Sequence, residues 1–202
     1  MKRLTSNLRQ QRKEKRRRQI LQAASRVFPR KSYWEADMES ICRLAGLAKG
    51  TVYLYFSSKE ELFLSLVDSI LKELVNEVTS LLKENLSVTE TLETVVEIYL
   101  NFFQKHSAYF SILFVEAPEL RLKVARRFWK KLLTIIKSVQ PRYRAAVASG
   151  EIRPIPLPDI VFMLTGMIQG AIFQWLLSNR SYSLPDRARA IKTVFLRGLV
   201  KS

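Results

Sequence analysis

The residues best suited to chemistry lie in one short stretch, residues 45–61, with the sequence AGLAKGTVYLYFSSKEE. At helical spacing Val52 and Phe56 share one apolar face, which predicts that this face packs against the rest of the protein. The other faces carry an ammonium group, hydroxyl groups, aromatic rings and a glycine: Lys49, Gly50, Thr51, Tyr53 and Tyr55. Such groups can contact phosphates and base edges in the major groove of DNA. Taken alone, the tyrosines fit a half-buried amphipathic helix equally well.

Positive charge is concentrated near the N-terminus of the chain. The 202 residues hold 34 lysines and arginines against 18 aspartates and glutamates, a formal net charge of +16. Residues 1–31 contain twelve of these basic residues and a single acid, Glu14. A polyanionic partner for this end is therefore the first hypothesis. The alternative is a disordered tail whose charge only keeps the protein in solution.

Catalytic chemistry has little support in the composition. The chain contains one histidine, His106, one cysteine, Cys42, and no cluster with metal-ligand spacing. Neither a nucleophilic triad nor a zinc site is indicated, so we expect neither an enzyme nor a cofactor. The lone cysteine excludes an intrachain disulfide, and the charged N-terminus is unlike a signal peptide. Both features predict a cytoplasmic protein.

Helical spacing of the apolar residues predicts an all-α chain without a strand pattern. A basic arm, residues 1–12, precedes a first helix over residues 14–28 that Pro29 should end. Asp37 is a good N-cap for a short second helix. Gly46 should close that helix before a third begins near Lys49. The later helices are predicted over residues 57–84, 87–105, 106–116, 119–149, 159–178 and 185–199.

Two segments, RRRQILQAASRVF and ESICRLAGLAKGTVYLYFSSKEELFLSL, strongly resemble the tetracycline-repressor (TetR) family of bacterial transcriptional regulators. The resemblance covers residues 13–73 and is looser over residues 74–202. It implies an all-α fold in which residues 13–73 form an N-terminal three-helix DNA-binding domain, with the helix-turn-helix motif at about 36–55. Residues 74–202 would form a larger helical domain for effector binding and dimerisation. The implied function is a homodimeric repressor that a small hydrophobic effector releases from a pseudo-palindromic operator.

The resemblance also implies which residues contact double-stranded DNA. The residues expected to face base edges are Lys49, Gly50 and Tyr53, and those expected to bind phosphates are Thr51, Tyr55 and Lys59. Further phosphate or minor-groove contacts would come from the arm and from Arg16, Arg17 and Arg18.

The chain departs from the family pattern at several positions. Ala48 replaces the usual serine, so the third helix lacks a side-chain N-cap, which is typically worth ~1 kcal/mol. Asp37 replaces the usual threonine, and its charge would repel a nearby phosphate, so no DNA contact is assigned to it. Ser32 stands where a glycine usually precedes the aromatic at Tyr33, and Pro29 replaces a helix former. We therefore expect the turn after the first helix to be strained or rearranged.

The segment IVFMLTGMIQGAIFQWLL, residues 160–177, has no charged residue and contains two glycines four residues apart. Its length is at the lower limit for a membrane span. Its polar residues and the absence of a flanking aromatic and basic belt favour a buried helix or one packed against a second copy. Small residues at this spacing let two helix backbones approach closely. The predicted dimer interface consists of Gly166, Gly170 and Gln174, and no membrane partner is expected.

The second domain is rich in aromatic residues, which favours a hydrophobic effector over a sugar. The candidate effector-binding residues are Phe103, His106, Phe110, Trp129, Gln169 and Phe173. Nine lysines and arginines also lie between residues 121 and 144. This run is ordinarily a solvated face, and the alternative is a site for an acidic headgroup such as the phosphates of an acyl-coenzyme A.

One further class of function stays open at this point. A non-specific, architectural DNA-binding protein driven by the basic arm would account for the charge distribution equally well. Its affinity would depend on salt concentration and not on DNA sequence.

Overall fold

The computed structural model describes the backbone of residues 2–199 and the side chains of residues 7–199. Within these residues the elements are helices joined by turns, without a β-strand, which confirms the predicted all-α class. The α-helices are α1 (Lys2–Val27), α2 (Met38–Ala45), α3 (Lys49–Tyr53), α4 (Lys59–Leu81), α5 (Val88–Lys105), α6 (Ser107–Ser111), α7 (Pro118–Ala148), α8 (Leu157–Leu177) and α9 (Ala188–Leu199). Two 3-10 turns, Phe28–Arg30 and Leu184–Arg187, and a π-helical turn, Ile112–Glu116, lie between them.

The first helix begins earlier than the apolar spacing predicted. Residues 2–12 continue α1 instead of forming a separate arm. These residues are mostly glutamine, lysine, arginine and leucine, which favour helix without needing an apolar face to bury. Met1 and the side chains of residues 1–6 lie outside the described part of the chain. The other end follows the prediction, since α1 stops at Val27, two residues before Pro29.

Local capping interactions set most of the remaining helix ends. The Asp37 carboxylate accepts a hydrogen bond from the Ser40 backbone N–H at 2.6 Å and begins α2. Gly46 closes α2 at φ +62°, a left-handed conformation in which glycine carries no steric penalty. Ser87 and Glu90 form a reciprocal capping box at the start of α5. Each of these contacts joins residues three or four positions apart, so each is readable in the sequence.

The chain divides into two compact units. The first contains residues up to Ser69 together with Ser111–Val124. The second contains Ile70–Phe110 together with the residues from Ala125 onward. This division differs from the predicted boundary near residue 73, because the π-helical turn and the start of α7 pack with the N-terminal helices.

Three phenylalanines lie among the aliphatic side chains in the core of the first unit. Phe28, Phe56 and Phe63 are fully buried, as is Ile20 of α1. The rings of Phe28 and Phe63 meet edge to face with centroids 4.9 Å apart, a geometry that adds stability beyond the area buried. This core holds α1, α2 and α3 around the first turns of α4.

Aliphatic residues dominate the core of the second unit. Leu164, Ile168 and Ile172 lie along the buried side of α8, and further clusters join α7, α8 and α9. Among the described residues, α8 is the one helix whose length and composition would suffice to cross a membrane, with a mean hydropathy of 1.7. Core helices of soluble proteins also meet that criterion.

Candidate nucleic-acid interface and effector cavity

Helix α3 is a short element held by one stripe of buried side chains. Val52 and Phe56 are both fully buried and anchor it to the first unit. Ala48 at the N-cap makes no side-chain hydrogen bond, as expected from the absence of a hydroxyl there. Tertiary packing therefore stabilises α3, because a helix of this length is marginal by itself in water.

The side chains that the sequence singles out lie on the outer part of α3. Lys49 and Gly50 are exposed, and Tyr53 keeps 39% of its surface accessible. Thr51 and Tyr55 are half-buried. The structure thus brings an ammonium group, two hydroxyl-bearing rings and a glycine together on a helix that presents them outward. Contact of these residues with DNA stays a prediction.

Lys59 already has partners inside the first unit. Its Nζ donates hydrogen bonds to the carbonyl oxygens of Tyr33 at 2.9 Å and of Trp34 at 3.2 Å. The ammonium also lies 4.8 Å from the centroid of the Tyr33 ring. Burial lowers the pKa of Lys59 from its ordinary value. An ammonium group has three donors, so one remains for the predicted phosphate contact.

The two carbonyl contacts give Lys59 a structural role in addition to its predicted one. We expect Lys59→Ala to lower the free energy of unfolding by about 1 kcal/mol, because two carbonyl groups lose their charged donor. Lys49→Ala removes an exposed lysine of the same unit and should leave thermal unfolding unchanged. Equal melting temperatures for the two variants would contradict the structural role of Lys59.

The three arginines at residues 16–18 point in different directions. Arg16 is exposed and donates to Gln19, and the Arg18 side chain is 83% exposed. Arg17 instead faces inward, where its guanidinium donates to Ser65 Oγ at 3.0 Å and lies 4.7 Å from the centroid of the Phe56 ring. Arg17 therefore has partners within the unit, and DNA contact by the three arginines stays a prediction. Consecutive residues on a helix point about 100° apart and cannot share one face.

The turn between α1 and α2 shows no sign of the expected backbone strain. Ser32 Oγ accepts a hydrogen bond from the Glu35 backbone N–H at 3.1 Å. No left-handed backbone occurs at residues 28–37. The carboxylate of Asp37 has a pKa well below its usual range, because it accepts hydrogen bonds from the Ser40 N–H and hydroxyl and lies 3.2 Å from the Lys31 ammonium. The charge of Asp37 therefore stabilises the start of α2.

Sequence reasoning missed the contribution of Glu116 to this turn. Its carboxylate accepts a hydrogen bond from the Tyr33 backbone N–H at 2.6 Å, and its carbonyl oxygen accepts one from Trp34 Nε1 at 3.2 Å. Lys123 also pairs with Glu60 at the start of α4. Glu116 and Tyr33 are 83 residues apart, so no local pattern in the sequence could have indicated the contact.

The second unit encloses an apolar cavity of about 130 Å³. Its walls come mainly from leucine, isoleucine and valine side chains of α5, α7 and α8. Thr91, Tyr99, Tyr143 and Thr165 contribute the neutral polar groups, and Arg142 is the one charged residue in the wall. An amphipathic molecule with an apolar chain and an anionic group would suit such a lining.

None of the six predicted effector residues lines this cavity, and their part in effector binding stays a prediction. Phe103 and Phe110 are buried against each other with ring centroids 4.2 Å apart. His106 packs on Phe102 nearby, and burial lowers its pKa despite the Glu73 carboxylate 3.6 Å away. Gln169 is exposed, and Trp129 and Phe173 keep 38% and 40% of their surface accessible. Aromatic content alone does not reveal which side of a helix each ring occupies.

The predicted dimer residues share the exposed side of α8. Gly166, Gly170 and Gln174 are all exposed, opposite the buried Leu164, Ile168 and Ile172. A Cβ atom added at either glycine would meet no atom within 4 Å. Packing within one chain therefore does not require a glycine at these two positions.

Comparison with known proteins decides the family. Residues 20–66 match the family model described as bacterial regulatory proteins, tetR family. Residues 20–66 thus form a TetR-type DNA-binding region. The match spans α2, α3 and the residues that anchor them. The match confirms the resemblance seen in the sequence. It also confirms the predicted class of function, a helix-turn-helix DNA-binding transcriptional regulator.

Two curated transcriptional regulators are similar to this chain over nearly their whole length. An uncharacterized HTH-type transcriptional regulator, YhgD, from Bacillus subtilis is 26% identical over 185 residues, covering 91% of this chain and 96% of its own. The fatty acid metabolism regulator protein of Bacillus subtilis is 21% identical and covers 90% of this chain and 94% of its own. These proteins are regulators and not enzymes, which confirms the expectation drawn from the composition.

The TetR-like fold extends over both units. The crystal structure of the transcriptional regulator FadR from Bacillus subtilis in complex with stearoyl-CoA superposes with a TM-score of 0.74. It is 24% identical and covers 89% of this chain and 97% of its own. The looser sequence resemblance over residues 74–202 therefore corresponds to a shared fold.

Proposed function

We propose that this TetR-family protein is a cytoplasmic, homodimeric repressor that binds a pseudo-palindromic operator and is released by an effector with a long apolar chain. The outer face of α3 is the observation that carries the DNA-binding part. Lys49, Gly50 and Tyr53 extend outward from a helix whose Val52 and Phe56 are fully buried. In a symmetric dimer the two copies of α3 would enter successive major grooves about 34 Å apart, or a multiple of that spacing.

The exposed side of α8 supports a dimer through the last two helices. It presents Phe162, Met163 and Leu177, each about 60% exposed, around the bare backbone of Gly166 and Gly170. Large contiguous apolar surface of this kind is uncommon on a monomer. A second copy of α8 could approach closely at the glycines and bury the flanking side chains.

Gly170→Leu is the variant that tests this interface. The added side chain meets nothing within its own chain, so folding should be unaffected while close approach of a second α8 is blocked. We expect sedimentation to show a shift from dimer to monomer at micromolar concentration. The matched control is Gly50→Leu in the absence of DNA, because an added Cβ at Gly50 also meets no atom within 4 Å and α3 lies outside the proposed interface. An unchanged dimer in Gly170→Leu would show that α8 does not form the interface at this point.

The cavity of the second unit supports an effector with an acyl chain. Its walls are aliphatic, and Arg142 supplies one cation for an anionic headgroup. The FadR structure with the same fold was determined in complex with stearoyl-CoA, and we infer that a long-chain acyl-coenzyme A is the effector class here. Basic residues of α7, including the exposed Arg126, Lys130 and Lys137, would add attraction for phosphates.

Entry of such a chain would require the cavity to expand. A volume of about 130 Å³ is smaller than the roughly 300–1,000 Å³ of typical ligand pockets. Val78 of α4 lines the cavity, and α4 runs from the first unit into the second. Displacement of α4 by the effector would then change the spacing of the two α3 helices and lower operator affinity, with a coupling of typically ~1–3 kcal/mol.

Selection of fragmented genomic DNA on the purified protein at near-physiological salt tests the DNA-binding part. Enrichment of a short inverted repeat would establish a dimeric, sequence-specific regulator. Recovery of DNA without a shared motif would favour the architectural alternative, in which the basic residues of α1 dominate binding.

Calorimetry with stearoyl-CoA, acetyl-CoA and free coenzyme A tests the effector. We expect heat of binding and loss of operator affinity with stearoyl-CoA only, because the short chain buries little apolar surface. No heat with stearoyl-CoA would remove the acyl-coenzyme A proposal.

A further inference from the structure

Leu54 is the most exposed of the large apolar side chains described, at 85%. It directly follows Tyr53 at the end of α3, and its backbone N–H donates to the Gly50 carbonyl oxygen at 3.2 Å. Leaving an isobutyl group in water forgoes the stabilisation that burial would give. No contact within the described part of the first unit accounts for a leucine at this position.

The position of Leu54 on the helix is specific. An α-helix turns about 100° per residue, and Val52 and Phe56 define the buried side of α3. Gly50 and Leu54 then lie about opposite that side. The predicted DNA contacts flank them, with Lys49 and Tyr53 on one edge of the exposed face and Thr51 and Tyr55 on the other. Leu54 therefore occupies the centre of the outward face.

Gly50 leaves this centre open. A Cβ atom added there would meet no protein atom within 4 Å. The central stripe of the face thus consists of bare backbone one turn before an exposed isobutyl group. A surface of this kind can approach a base pair closely but offers it no side-chain hydrogen bond from either residue.

We propose that Leu54 determines sequence specificity by packing against the 5-methyl group of a thymine in each operator half-site. The thymine methyl is the apolar group that base pairs display in the major groove, and apolar side chains recognise it by contact. The inference rests on the proposed function and adds to it a residue and the base that this residue selects. Cytosine at the same position would lack the methyl group and would be bound more weakly.

Single replacements of thymine by deoxyuridine in the selected operator test this contact, because they remove the methyl group and keep the hydrogen-bonding edge. With the wild-type protein, we expect replacement of the contacted thymine in one half-site to raise the Kd about threefold to fivefold, as for loss of one buried methyl group. With Leu54→Ala, the operator should bind more weakly and that replacement should have no further effect. When the sequence selection is repeated with Leu54→Ala, the preference for thymine at that position should be weaker.

Leu122→Ala is the matched control, because Leu122 is a 57% exposed leucine of the same unit that lies on α7. It should retain the wild-type response to every deoxyuridine replacement. Equal sensitivity of the wild type and Leu54→Ala would overturn the contact while leaving operator binding intact. Failure to select any motif would overturn the proposed function, and the role of Leu54 with it. Thermal unfolding of Leu54→Ala should match the wild type, since the side chain is exposed.

Discussion

Replacing Tyr53 by alanine is expected to lower operator affinity by about 1–3 kcal/mol and to relax the sequence preference, because the predicted contact with a base edge would be lost. Lys49→Ala should act in the same way. Lys49 is exposed, so its replacement should not destabilise the fold. Tyr53 keeps 39% of its surface accessible, so thermal unfolding of Tyr53→Ala should be measured in parallel. Titration of the selected operator and of a scrambled duplex at fixed salt separates loss of specificity from loss of overall affinity.

Replacement of the predicted phosphate contacts should give a different result. Thr51→Val and Tyr55→Phe should weaken binding to all DNA sequences alike. Replacing a phosphate-binding cation should also reduce the salt dependence of the affinity. Arg18→Gln should therefore reduce the salt dependence, whereas Arg17→Gln should not, since Arg17 packs on Phe56. If Lys49→Ala and Tyr55→Phe both left operator binding untouched, the assignment of this face of α3 would be wrong.

Filling the cavity of the second unit should abolish the response to the effector. Leu164 is buried on α8 and lines the cavity, so Leu164→Trp would occupy the space that an acyl chain needs. We expect stearoyl-CoA to bind at least tenfold more weakly and to release the operator no longer, while DNA binding without effector persists. Overpacking typically costs about 1–3 kcal/mol of stability, so thermal unfolding of the variant should be measured in parallel.

Neighbouring residues provide matched controls for the cavity. Arg142 lines it, whereas Arg144 is exposed on the same helix. Arg142→Gln should weaken stearoyl-CoA binding, and Arg144→Gln should have a smaller effect. Trp129→Ala, at a position that aromatic content alone suggested, should leave effector binding unchanged. If Trp129→Ala abolished binding and Leu164→Trp did not, the effector would occupy a different site.

Short-range interactions explain why the sequence by itself determined most of the secondary structure. Asp37 caps α2 through Ser40, Gly46 closes it, and Pro29 ends α1 close to the predicted position. Each effect depends on residues at most four positions apart and on backbone preferences that act before the chain is folded. The buried side of α3 follows equally directly from the spacing of Val52 and Phe56. The positions of α2 and α3 were therefore predictable from local patterns, whereas their DNA-binding role came from the resemblance to the TetR family.

Tertiary structure decided which of the candidate side chains are available. Arg17 turns inward to Ser65, Lys59 binds two carbonyl groups of the α1–α2 turn, and Glu116 reaches Tyr33 from 83 residues away. The cavity likewise collects aliphatic residues of several helices, while the predicted aromatic residues pack elsewhere or face solvent. Such contacts depend on how helices distant in sequence pack together, which the composition and spacing of one helix do not specify. Leu54 shows the same limit, because only the packing of α3 reveals that this leucine is left uncovered at the centre of the outward face.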